Sequence, residues 1–180
     1  MTKKEIRYPF IPKSNKHFIA GQFFDVRLKN GKYACGRVLA LPPPDWSRYG
    51  GRTCFLAGLM DWVGDHPPTS EGIAGHKIIQ QGVASIRIIT RHGSGILGQR
   101  PLEIDGISLL EPFRYIVKGT PPTLYSGYVS SADTESKSDN NGQTVNAERD
   151  ASIYRSSSGW GLEVMALHAE EYYEKGILKP

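Results

Sequence analysis

The 180-residue chain predicts a β-rich α+β fold: a strongly curved or barrel-like antiparallel sheet with a short C-terminal helix. Three observations carry that expectation. A hairpin can be read directly between Gly21 and Leu41. Twenty glycines and twelve prolines favour strands and turns over a helical bundle. One stretch alone, Ala166 to Lys175, has the spacing and the terminal glycine of a helix. The length suits a single domain over residues 1–180 with a sizeable core.

Taken in order, residues 1–19 form an irregular lead-in broken by Pro9 and Pro12, with Phe10, Ile11, Phe18 and Ile19 available to pin it to the body. In the next segment Phe24, Val26 and Leu28 alternate with Phe23, Asp25 and Arg27, the period of a half-buried strand. Asn30-Gly31 suits a tight type I′ turn, in which both central residues have positive φ. The return strand runs from Tyr33 to Leu41, and Gly36 within it marks a bulge or another backbone passing close by. Pro42-Pro43-Pro44 then ends the strand and stiffens a loop through Gly51.

Arg52 to Met60 is apolar on both faces and predicts a central strand. Asp61 to Gly75 reads as loop, and Lys77 to Gln80 as a short strand. Val83 to His92 fits two periods; its Ile and Val content favours a strand ending at Arg91. Ile96–Leu102 and Arg114–Val117 are further extended candidates. Residues 130–158 are polar and of low complexity, and predict a mobile loop insertion that cannot bury enough surface to offset ordering entropy. Trp160, Leu162 and Val164 then alternate as an edge or closing strand, and Ala169, Tyr172 and Tyr173 face inward from the last helix, with Gly176 at its end.

Charge is unevenly placed. Residues 1–130 carry 17 Lys and Arg against 9 Asp and Glu, whereas residues 131–180 carry 5 against 9. A charged opening followed by no apolar run predicts no secretory leader, and no stretch is long enough for a membrane helix, so a cytoplasmic location is expected. Cys35 and Cys54 are expected as reduced, buried thiols, a disulfide between neighbouring strands being the alternative.

The sequence holds no metal-ligand spacing, nucleophile elbow or phosphate loop, and predicts neither a cofactor nor an enzyme. Its one acid/base grouping is Asp61, Asp65 and His66, which would serve a small hydrolase if the fold brought Asp61 and His66 together. The aromatic and basic residues Tyr33, Arg37, Trp46, Arg48, Tyr49 and Arg52 gather near one hairpin end, a composition that also suits a nucleic-acid-binding small β-barrel. Glu163, Glu170, Glu171 and Glu174 form an acidic set on or beside the last helix.

Gly21-Gln-Phe-Phe-Asp-Val-Arg-Leu and Asn30-Gly31-Lys32-Tyr33-Ala34-Cys35-Gly36-Arg37-Val38-Leu39 resemble the opening hairpin of immunity protein family twenty-six, a bacterial group encoded beside polymorphic toxins. Ile96-Leu97-Gly98 with Pro101-Leu102, Pro112-Phe113 and Gly159-Trp160-Gly161 are similar to later elements of that family, so the resemblance spans residues 21–113 loosely and a patch near 159–164. It implies a cytoplasmic immunity protein that binds a cognate toxin domain and neutralises it by occlusion, with no cofactor. Two contact surfaces follow from charge. A toxin with a cationic cleft would be met by Glu163, Glu170, Glu171 and Glu174, and a toxin acidic at its active site by Arg37, Trp46, Arg48 and Tyr49.

Overall fold

A computed structural model describes residues 6–41, 52–107, 112–115, 123–126, 155–160 and 164–180. The strands are β1 (Gln22–Arg27), β2 (Tyr33–Ala40), β3 (Cys54–Gly64), β4 (Ile78–Ser85), β5 (Ile96–Gln99), β6 (Pro112–Tyr115), β7 (Thr123–Ser126) and β8 (Arg155–Trp160). Two helices, α1 (Arg87–His92) and α2 (Val164–Glu174), complete the named elements. The sheet order is β5-β1-β2-β3-β4-β8-β6-β7. Its first five strands are antiparallel throughout, and the domain is β-rich α+β with a short C-terminal helix. The sheet ends at β5 and β7 and does not close, so of the strongly curved or barrel-like forms expected it is not a closed barrel. Nor is it wholly antiparallel: β8 runs parallel to both β4 and β6.

The first hairpin forms as the sequence predicts, with Phe23 opposite Arg37 and Arg27 opposite Tyr33. Its turn is different. The Gly31 N–H donates to the Leu28 carbonyl at 3.0 Å and the Leu28 N–H to the Lys32 carbonyl at 2.8 Å, which leaves three residues in the loop. Gly31, at φ 85°, supplies the left-handed residue after a turn centred on Lys29 and Asn30. The Asn30 side chain accepts from the Lys32 N–H at 3.0 Å and fixes the exit.

Alternation along the strands sorts residues onto two faces, and both are buried. One face carries Phe24 and Val26 of β1, Ala34 and Val38 of β2, and Phe55, Ala57 and Leu59 of β3. Phe18 from the lead-in, Ile88 and Ile89 from α1, and Met165 and Ala169 from α2 cover it. The other face carries Phe23, Cys35, Leu39, Leu56, Met60 and Trp62, roofed by Ile73 and Leu102 from loops. β1 is therefore buried from Gln22 to Val26, where a half-buried strand was expected. The same two-sided cover explains the continuous apolar run of β3, which does lie centrally between β2 and β4.

β3 also extends to Gly64, through residues that read as loop, because Asp61 and Val63 exchange backbone bonds with Lys179 near the C-terminus. The ambiguous stretch after Gly82 resolves into both of its periods. Alternation holds through Ser85 in β4, and α1 follows with Ile88 and Ile89 buried side by side, which no strand face could provide. Residues 155–158, read as part of the mobile tract, lie in β8, inside the sheet and not at its edge. The rest of that tract, Leu162 and the Pro42–Gly51 loop lie outside the described residues. Phe10 pins the lead-in by a bridge to Ile96, whereas Ile11 is exposed.

α2 starts two residues earlier than its spacing suggests. It ends where expected: the Gly176 N–H donates to Tyr173 and the Ile177 N–H to Tyr172, with Gly176 at φ 66°. That is a Schellman closure.

Gly36 shows how tightly these layers meet. A Cβ there would strike the Phe24 ring directly opposite and lie 2.7 Å from Met165 Cε of α2. The sheet register also shifts between Ala34 and Gly36. Gly36→Ala is expected to cost about 1–3 kcal/mol through overpacking, read as a lower urea midpoint with an unchanged slope.

Candidate partner-binding surface

Arg37 sits on the loop-covered face of β2 and is fully buried. Its Nη1 donates to Asp105 Oδ2 at 3.0 Å and its Nη2 donates to the Arg100 carbonyl. Arg37 cannot therefore reach a partner from this position; its placement with the exposed aromatics is corrected by a carboxylate 68 residues away in sequence. Trp46, Arg48, Tyr49 and Glu163 lie outside the described residues.

Asp105 ties several segments together. It accepts from Arg100 Nε at 2.9 and 3.0 Å and from the Gly75 N–H at 3.1 Å, while its own carbonyl takes Lys77 Nζ at 2.9 Å. Burial by itself would raise this carboxyl, but the Gly75 N–H and the Arg100 and Arg37 guanidinium groups outweigh it and hold the group below its ordinary value.

The acid/base grouping disperses. Asp61 Oδ1 accepts from the Lys77 N–H at 2.8 Å and lies 3.0 Å from His76 Nδ1, a partner that sequence spacing does not reveal. Asp65 is exposed and pairs with Lys32 at 2.5 Å. Asp61 and His66 are not joined by a hydrogen bond among the described residues. Ser94, beside His92 in sequence, is bound to Asp25: its N–H donates to Oδ1 at 2.6 Å and its hydroxyl to Oδ2 at 3.0 Å. Cys35 is buried, Cys54 is half-buried, and neither forms a disulfide. Desolvation raises the Cys35 thiol far above its usual range, so it packs as a small apolar group. Among the described residues no three His, Cys, Asp or Glu side chains are gathered as metal ligands, and no helix is long and apolar enough to cross a membrane.

The outer side of α2 is one of the exposed surfaces. Met165 and Ala169 turn inward, and Tyr172 and Tyr173 are half-buried, so residues at other angles of the helix face out. Leu167, Glu171 and Glu174 fall at intervals of four and three and share that side. Leu167 is 57% exposed, a large apolar side chain left without cover. Glu171 pairs with Lys175 and lies 3.7 Å from His168, and Lys175 holds its carboxyl below the ordinary value. Glu170 turns to the hairpin and accepts from the Lys29 N–H at 2.5 Å. Glu174 is exposed. The arrangement is an exposed apolar side chain in line with two exposed glutamates, one of them paired with Lys175.

Asp105→Asn is expected to destabilise the fold by about 3–5 kcal/mol, because it leaves a buried arginine unpaired. Since the folded carboxyl sits below its unfolded value of about 3.9, the wild-type contribution is complete above about pH 4 and is lost as pH falls through the folded value. Urea unfolding at pH 7 and at stepwise lower pH should show the variant already weakened at neutral pH and missing this part of the acid-induced loss. Compared with family models, with curated proteins and with solved structures, the chain finds no match.

Proposed function

We propose that this chain is a cytoplasmic immunity protein that binds a cognate toxin domain and blocks it by occlusion, meeting a cationic cleft of the toxin with the outer side of α2. The observation that carries the reading is Leu167, exposed in the same helix surface as Glu171 and Glu174. Acidic groups around an apolar anchor suit a basic partner: the charges speed encounter, and the apolar contact supplies affinity once water is displaced. The hairpin resemblance adds a second line of support. Its glycine and arginine have structural roles, Gly36 making room for Phe24 and Met165 and Arg37 anchoring Asp105, so the recurrent pattern is a pattern of folding. Recognition then falls to surfaces outside it.

Co-expression with the toxin domain encoded beside this chain should give a stoichiometric complex and protect growth. Leu167→Asp should weaken that complex by about tenfold or more, and Glu171→Lys with Glu174→Lys should slow association and flatten its salt dependence. Failure to form any complex with that domain would remove the proposal. A complex indifferent to all three substitutions would move the contact away from α2.

A further inference from the structure

A separate feature lies where the hairpin turn meets the end of α1. Arg27 and Lys29 from the hairpin, Arg91 and His92 from the end of α1, and Ser94 from the α1–β5 connection line an open cavity of about 350 Å3. Four of those five side chains are cations or can become one, and no carboxylate lines it. Among the described residues Arg27, Lys29 and Arg91 form no ion pair. Two carboxylates bind neutral groups of the lining, Asp25 the Ser94 N–H and hydroxyl and Glu170 the Lys29 N–H, so the three cations still outnumber them.

Like charges converging on a concave surface repel one another, and that repulsion is relieved by a bound anion. The His92 ring forms part of the same wall, beside the exposed Arg91. Arg27 is steadied with its guanidinium 5.6 Å above the Tyr33 ring, which limits the rotamer freedom lost on binding. The cavity exceeds what one oxyanion fills and stands at the lower end of small-ligand sites, about 300 Å3 and upward.

We infer that this cleft binds the phosphate group of a small ligand, with Arg27, Lys29 and Arg91 as the charge clamp. Two planar guanidinium groups and an ammonium can approach different oxygens of a tetrahedral dianion, which a flat carboxylate would not satisfy as fully. The inference is independent of the toxin reading.

Calorimetric titration of the full chain at fixed ionic strength, with inorganic phosphate, ribose 5-phosphate and acetate as probes, tests it. Saturable one-to-one binding of phosphate or its monoester is expected, with acetate much weaker. Preference between the first two tells whether free phosphate or a phosphorylated metabolite is the occupant. Arg27→Gln and Arg91→Gln alter exposed side chains, and each should raise the dissociation constant about tenfold or more. Lys29→Gln stands in if either fails to match the wild-type thermal midpoint. The His92 ring resonances should shift on saturation. Absence of saturable binding, an acetate response equal to phosphate, or unchanged affinity in the Gln variants would each overturn the assignment.

Discussion

The buried pairing of Arg37 with Asp105 is the constraint on which the second face of the sheet depends. An arginine in the middle of a strand cannot be left among apolar neighbours without a counter-charge and several acceptors. Asp105 supplies the charge, and the Arg100 carbonyl supplies one of the acceptors. In holding that arginine, the loops around Gly75 and Arg100–Gly106 are drawn down over Phe23, Leu39 and Leu56 and close a core that would otherwise face water. One carboxylate thus fixes the position of two loops that have little regular structure of their own. Nε of Arg37 still lacks a partner, so the site is held more by charge than by complete hydrogen bonding.

With both faces covered, the sheet works as a middle layer, helices on one side and loops on the other. That arrangement sets where recognition can occur. The faces of β1, β2 and β3 are committed to packing, so around them the surfaces left over are helix exteriors, turns and clefts between elements. The acidic side of α2 and the basic cleft by α1 lie on either side of the Lys29–Glu170 bond, and they differ in the sign of their charge. A macromolecular partner and a small anion would therefore meet different parts of the molecule.

Local signals were legible in the sequence where chemistry is local. The hairpin, the central β3 and the glycine-terminated α2 all follow from neighbours within a few residues, whereas the crowding at Gly36 comes from Phe24 across the hairpin and from Met165 of α2. Partnerships across the chain were not. Nothing near Arg37 announces Asp105, and nothing near Asp61 announces His76, so a structural arginine resembled an exposed contact and a structural aspartate resembled a catalytic one. Alternation also could not tell water from a loop as the cover of Phe23 and Asp25, since a covering loop leaves no mark in the strand it covers. The extension of β3 past Asp61 depends on Lys179, more than a hundred residues on.

The parallel seam between β4 and β8 has a consequence for how the polypeptide holds together. Gln81 lies beside Ser157 and Ala84 beside Trp160, while Lys179 bridges to Trp62 on β3. The C-terminal portion is stitched into the body by sheet pairing, by Met165 and Ala169 in the helix-side core, and by this final bridge. A backbone cut between residues 126 and 155 would leave two fragments that still share one sheet and one core, the geometry from which complementing halves of a split protein are made.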